Sequence, residues 1–172
     1  MTAGPDGADW WLANPAATQD FGAALARALP VSPTPLVIHL EGDLGAGKTS
    51  LVRGLLAGLG HGGRVPSPTY TLVEPYTTGA FRLLHVDLYR LRDPAELDDL
   101  GLADDLAGAA GQGLTGVLLA EWPDRGGDRL MPADLVVALA LADSGRRIAL
   151  VPRTTAGESI AAEVRRAVPG GS

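Results

Sequence analysis

The sequence predicts an α/β fold, with helices layered on a mixed, mainly parallel central sheet and a hairpin near the C-terminus. Three observations carry that expectation. Leu36-Val37-Ile38-His39-Leu40 and Val117-Leu118-Leu119-Ala120 lack the polar alternation of a half-solvated strand and fit strands buried on both faces. Segments with helical spacing of apolar residues separate the strand-like runs. Residues 134–141 and 147–151 flank the turn Asp143-Ser144-Gly145, which is a hairpin pattern.

The elements follow in order. Residues 1–11 are rich in Gly, Pro and Asp, and read as a poorly ordered leader carrying the pair Trp10-Trp11. Asn14-Pro15 is a helix start, a capping side chain followed by a proline with a pre-set φ. Phe21, Leu25 and Leu29 repeat every four residues until Pro30 stops that helix. The first apolar strand leads into a glycine-rich turn at residues 42–47, and a helix over residues 48–59 ends at Gly60. Residues 70–74 and 81–86 read as strands, the second ending at Asp87. Asp93-Pro94 opens an acidic helical stretch through Leu106, and residues 108–116 read as a flexible connector to the second apolar strand. A last helix over residues 155–168 has Ile160, Val164 and Val168 on one face, leaving residues 169–172 as a tail.

Composition narrows the functional classes. The 172 residues predict one domain, residues 1–172, with roughly 70% of the unfolded surface buried on folding. A net charge of −6 disfavours an autonomous nucleic-acid binder, which needs a basic stripe to meet phosphates. The chain has no cysteine, so disulfides and thiolate metal sites are excluded. Asp6 and Asp9 precede Arg27, the first basic residue, so no secretory leader is expected. The longest apolar run, residues 135–142, is far too short to span a bilayer. The expectation is a cytoplasmic protein.

Among the 14 basic residues 13 are Arg, and Lys48 is the one lysine. It stands in Gly42-Asp43-Leu44-Gly45-Ala46-Gly47-Lys48-Thr49, which satisfies G-x-x-x-x-G-K-[ST] at every fixed position. With this composition a chance match is on the order of one in six hundred. Strand-then-helix context is what the chemistry needs, because glycines let backbone N–H groups and a helix N-terminus converge on phosphate oxygens. Lys48 then reaches the β- and γ-phosphates and the Thr49 hydroxyl holds Mg²⁺. A bare glycine-rich turn is the weaker reading, and the expected fold is a three-layer P-loop NTPase-like one. The chain has no second lysine for the guanine-reading N-K-x-D loop and no Ser-Gly-Gly signature of ABC-type ATPases, which favours adenine by elimination.

Such a loop requires a carboxylate at a neighbouring strand end to organise Mg²⁺ and the attacking water. Asp87 and Glu121 both stand there, and the residues alone leave open which acts on water. Trp122 either packs or shields the water site, and His85 reads as a core histidine bonded to backbone. Asp98, Asp99, Asp104 and Asp105 read as a solvated helix face, with an acidic partner-docking surface as the alternative.

Four motifs in sequence extend these readings. The glycine-rich loop, Ser67-Pro68-Thr69-Tyr70-Thr71-Leu72-Val73, His85-Val86-Asp87-Leu88-Tyr89-Arg90 and Glu121-Trp122-Pro123 together closely resemble the TsaE (YjeE) family over residues 12–153. That is a family of small bacterial P-loop ATPases of tRNA threonylcarbamoyladenosine (t6A) synthesis. The resemblance implies ATP and Mg²⁺ as cofactors, contacts along residues 43–49, Thr49 and Glu121 near the metal, and Lys48, Asp87 and Glu121 as the catalytic set. It makes residues 67–73 a switch-like loop with Thr69 on the γ-phosphate side. It places Asn14 and Pro15 beside the adenine and Arg146 on the nucleotide. It implies partners resembling TsaD and TsaB, with tRNA met only indirectly and no membrane. The alternatives are a small-molecule kinase and a non-catalytic nucleotide switch. Phosphate release without added acceptor separates the ATPase from the kinase, and partner stimulation separates it from the switch.

Overall fold

The computed structural model describes residues 9–170. Most of the expected leader and the end of the expected tail lie outside the described residues. In chain order come β1 (Asp9–Leu12), α1 (Pro15–Ala28), β2 (Leu36–Glu41), α2 (Lys48–Gly58), β3 (Val73–Thr78) and β4 (Phe81–Asp87). A 3-10 segment (Pro94–Leu100), α3 (Leu102–Gly111), β5 (Thr115–Glu121), two short 3-10 turns (Pro123–Arg125 and Gly127–Arg129), β6 (Leu135–Ala142), β7 (Gly145–Pro152) and α4 (Thr155–Ala167) complete it.

Among the described residues seven strands form one sheet in the order β1-β7-β6-β2-β5-β4-β3. The four central strands β6, β2, β5 and β4 run parallel. Antiparallel pairing adds β3 on one edge and β7 then β1 on the other. Alternation along the central strands splits the core in two. Leu36, Ile38 and Leu40, with Val117 and Leu119, pack under α1, α2 and α4, while Val37, Leu118 and Ala120 pack under α3 and the 3-10 segment. The expected α/β layering with its C-terminal hairpin is therefore the architecture found.

The two helices nearest the glycine-rich loop touch backbone to backbone. A Cβ on Gly54 of α2 would lie 2.0 Å from the Gln19 carbonyl oxygen, and one on Gly22 of α1 would lie 2.2 Å from that of Leu51. Asn14 caps α1 as expected, its Oδ1 accepting the Ala17 N–H at 2.9 Å with Pro15 at the first turn.

Four local expectations change. Residues 9–11, assigned to the leader, form β1 with Leu12, because Trp10 is buried against Phe21 and donates its indole N–H to the Val168 carbonyl at 2.9 Å. The strand expected at residues 70–74 begins at Val73 and runs on to Thr78. Before it, the Leu72 N–H closes a turn on the Pro68 carbonyl with Leu72 at φ 61°, and Pro75 is tolerated because β3 is an edge strand. The acidic helical stretch breaks at Gly101, whose φ of 62° ends the 3-10 segment before α3 starts. The connector expected at residues 108–116 is mostly ordered structure, since buried Leu106 and Ala109 carry α3 to Gly111 and β5 starts at Thr115.

Candidate phosphate-binding cleft

Strands β2, β4 and β5 are parallel neighbours, so their C-terminal ends meet at one edge of the sheet. Leu40 and Asp87 are both registered opposite Glu121 there. The loop leaving β2 turns through Gly42 and Gly47 into α2. Gly47 has φ 107°, and a Cβ on it would lie 2.2 Å from Arg146 Nη1, so a side chain here would collide with the guanidinium. Lys48 and Thr49 thereby occupy the first turn of α2.

Each charged group in the cleft has a definite support. Lys48 is buried and its Nζ donates to the Gly42 and Asp43 carbonyls at 2.5 and 3.0 Å. The Trp122 ring covers the same ammonium, 4.2 Å from ring centroid to Nζ. Burial pushes the Lys48 pKa below its ordinary value, against the pull of Glu121, Asp87 and Asp43. Trp122 takes φ 56°, a left-handed backbone that an indole side chain adopts at a cost of about 1–3 kcal/mol. The ring lies over Lys48, and Tyr89 packs against it in a tilted arrangement at 5.0 Å between centroids.

Glu121 is 3% exposed, and its Oε1 accepts both the Thr49 hydroxyl at 3.1 Å and His85 Nε2 at 2.7 Å. Asp87 is also buried, and its Oδ1 accepts the Tyr89 N–H at 3.0 Å. Burial raises the Asp87 pKa and Glu121 adds to the rise, while the Tyr89 N–H, His85 and Lys48 oppose it. Arg146 enters from the start of β7 with its Nε buried and unpartnered, and it makes no salt bridge among the described residues.

These groups line a cleft of about 330 Å³, within the usual range for small-molecule sites. Of the residues expected there, Pro15, Leu44, Gly45, Gly47, Lys48, Thr49, Asp87, Glu121, Trp122 and Arg146 line it. Four do not. Asn14 is engaged as the cap of α1, and exposed Asp43 offers its backbone carbonyl to Lys48. Ala46 lies in the core, and Thr69 hydrogen-bonds Ser67, which is the switch-loop residue that reaches the cleft. Ser50, Ser67 and Tyr89 complete the lining. Tyr89 and Ser67 stand inside the quoted motifs, so proximity to them was the available signal. His85 differs from expectation, since its partner is the Glu121 carboxylate and not backbone.

The donor set fits a phosphate ester. A cradle that a Cβ would fill, an unpaired Arg146 guanidinium and a buried Lys48 converge on one space. Among the described residues no group of three or more His, Asp or Glu side chains could hold a metal by itself. Thr49 and Glu121 instead fit Mg²⁺, which takes one or two protein oxygens and completes its shell from phosphate and water. The acidic face around α3 is partly neutralised away from the cleft, Asp105 by a forked pair with Arg82 at 2.9 and 2.8 Å and Asp98 by Arg129.

Comparison with known proteins adds an independent line. The family model described as "Threonylcarbamoyl adenosine biosynthesis protein TsaE" matches residues 12–148. The tRNA threonylcarbamoyladenosine biosynthesis protein TsaE of Haemophilus influenzae is 43% identical over 125 residues, covering 73% of this chain and 75% of that protein. The protein of the same name from Synechocystis is 42% identical over 117 residues, covering 68% and 71%. The crystal structure of YdiB from Bacillus subtilis superposes with a TM-score of 0.74 at 29% identity, covering 96% of this chain and 99% of that one.

Proposed function

This chain belongs to the TsaE family, and from that premise we propose that it is a Mg²⁺-dependent ATPase supporting t6A formation on tRNA. It acts as one domain, in the cytoplasm, on a complex of TsaB and TsaD type. The observation that supports this most is the meeting of Lys48, Thr49, Asp87 and Glu121 in one cleft at the ends of three parallel strands. Hydrolysis of a phosphoanhydride needs positioning and neutralisation of charge on the transferred group. Lys48 supplies the point charge on the γ-phosphate side, with Trp122 keeping water from its ammonium. Arg146 pairs a phosphate oxygen from the other wall, beside Gly47. Asp87 orients the attacking water, and Glu121 with Thr49 provides oxygen ligands for Mg²⁺. Mg²⁺, when bound, neutralises phosphate charge. Pro15 offers a flat apolar contact for the adenine, and Thr69 acts through Ser67 in the switch-like loop.

With a net charge of −6, the chain leaves tRNA to its partners. No helix among the described residues is long and apolar enough to cross a membrane. Turnover by the isolated chain is slow, and a TsaB–TsaD-type complex raises it by ordering residues 67–73. ATPase rates and pull-downs with and without that complex test the reading, together with a tRNA gel shift of the isolated chain at physiological salt. Stimulation by the complex and no shift are expected. Tight tRNA binding by the chain alone, or indifference to the complex in both assays, rejects it.

A further inference from the structure

Among the buried polar side chains at this end of the sheet, His85, which lies behind Glu121 and does not itself line the cleft, is the one for which the proposed chemistry supplies no task. It lies on β4 two residues before Asp87, wholly buried, with Nδ1 lacking any partner. A Leu or Phe would fill the space without that desolvation penalty. What the imidazole gains is a 2.7 Å bond from Nε2 to Glu121 Oε1. A carboxylate oxygen only accepts, so the ring hydrogen sits on Nε2. Thr49 Oγ1 donates to the same oxygen at 3.1 Å. Both bonds tie Oε1, and Oε2 takes no hydrogen bond among the described residues while Glu121 lines the cleft.

We propose that His85 is a positioning residue that fixes the Glu121 carboxylate, committing Oε1 to the protein and presenting Oε2 to the cation. The assignment rests on the reading of Glu121 as a Mg²⁺ ligand. Strand alternation explains why the sequence can do this. His85 and Asp87 are two apart on β4, and Leu83, two residues earlier, shares a core cluster with Val117 and Leu119, which precede Glu121 at the same spacing on β5. All three polar side chains therefore come to one face at one sheet end.

The test has an arm that needs no ligand. Long-range ¹H–¹⁵N spectra of the protein should show the Nε2–H tautomer at His85, and an Nδ1–H tautomer would overturn the assignment. The second arm measures binding of a fluorescent ATP analogue as Mg²⁺ is titrated, for wild type, His85→Leu, His85→Gln and His85→Asn. A Gln amide reaches the position of Nε2, and an Asn amide stops short of it. His85→Leu and His85→Asn should shift half-saturation in Mg²⁺ upward by about tenfold or more, the usual effect of losing such a support. Binding without Mg²⁺ should stay within threefold, and His85→Gln should stay close to wild type. If the Leu variant does not fold, the Gln and Asn pair decides. Unshifted Mg²⁺ curves for Asn and Leu, or a Gln variant as impaired as Asn, would refute the role. A wild-type protein whose nucleotide binding ignores Mg²⁺ would instead refute the metal reading itself, even with the Nε2–H tautomer present.

Discussion

Asp87 and Glu121 stand opposite each other as registered partners at the C-terminal ends of the parallel strands β4 and β5. Parallel pairing gives both side chains the same orientation, so two buried carboxylates share one cleft. Their supports differ. Glu121 is bonded by two side chains, Thr49 and His85, whereas Asp87 is bonded by one backbone N–H. The better-anchored carboxylate suits a fixed cation, and the other suits a movable water.

That difference separates the two acids experimentally. Glu121→Gln should lower the rate and weaken the dependence on Mg²⁺, because an amide is a poorer ligand for a hard cation. Asp87→Asn should cut the rate while ATP and Mg²⁺ still bind. Mg²⁺ titrations of ATPase rate and of nucleotide binding check both. A Glu121→Gln curve superimposable on wild type would remove Glu121 from the metal.

How far the sequence discloses this site depends on the kind of signal each residue carries. The β2–loop–α2 unit was legible because apolar run, glycines and helix follow one another without a gap. Asp87 and Glu121 were legible because each ends an apolar strand. Their pairing with each other was not, since it depends on β4 and β5 being neighbours although the two acids lie 34 positions apart in the chain. The role of His85 is hidden for the same reason, its partner lying 36 positions away. Local backbone was missed where tertiary contacts overrode composition. Trp10 draws residues 9–12 into a strand, and Leu72 closes a turn where β-branched and aromatic residues suggested extension.

Lys48 gives the sharpest loss. Lys48→Ala should fold normally, because the ammonium is already penalised by burial, and its removal frees only two backbone carbonyls near the cleft. Hydrolysis should fall at least ~100-fold, matching about 3 kcal/mol of electrostatic stabilisation in the transition state. Lys48→Arg should fail similarly, since a planar fork does not fit between the Gly42 carbonyl and the Trp122 ring. Activity within threefold of wild type in either variant would contradict the assignment.

Close helix contact makes a separate, purely structural prediction. Gly54→Ala puts a methyl 2.0 Å from the Gln19 carbonyl oxygen, so α1 and α2 must move apart. The expected loss is about 1–3 kcal/mol, read from the urea midpoint. Gly108→Ala on α3, where a Cβ meets nothing within 4 Å, should be neutral or stabilising. Equal midpoints for the two variants would show that the α1–α2 contact relaxes without strain.

Asp87 links activity and stability in opposite senses. Burial, reinforced by Glu121, holds its carboxyl above the ordinary value, so the folded chain keeps this proton more tightly than the unfolded chain. Its contribution to stability is therefore fully present below the ordinary carboxylate pKa of about 3.9 and is lost as pH rises through the raised folded value. At neutral pH the buried anion is a net burden on the fold. Asp87→Asn keeps the size and an oxygen for the Tyr89 N–H while removing that charge, so its Tm at pH 7 should equal or exceed that of wild type. The advantage should shrink as the buffer is taken toward about pH 4, where wild-type Asp87 takes up its proton. Activity runs the other way. Wild-type hydrolysis should decline as pH falls through the raised value, because a protonated carboxyl has lost the anionic charge that makes it a strong acceptor for the attacking water, and the Asn variant should be slow across the whole range. Calorimetric Tm and ATPase rate, measured on both proteins over the same pH series, supply the check. An Asn variant that melts well below wild type at pH 7 would mean that the ionised carboxylate stabilises the cleft, and that its neighbours outweigh its burial.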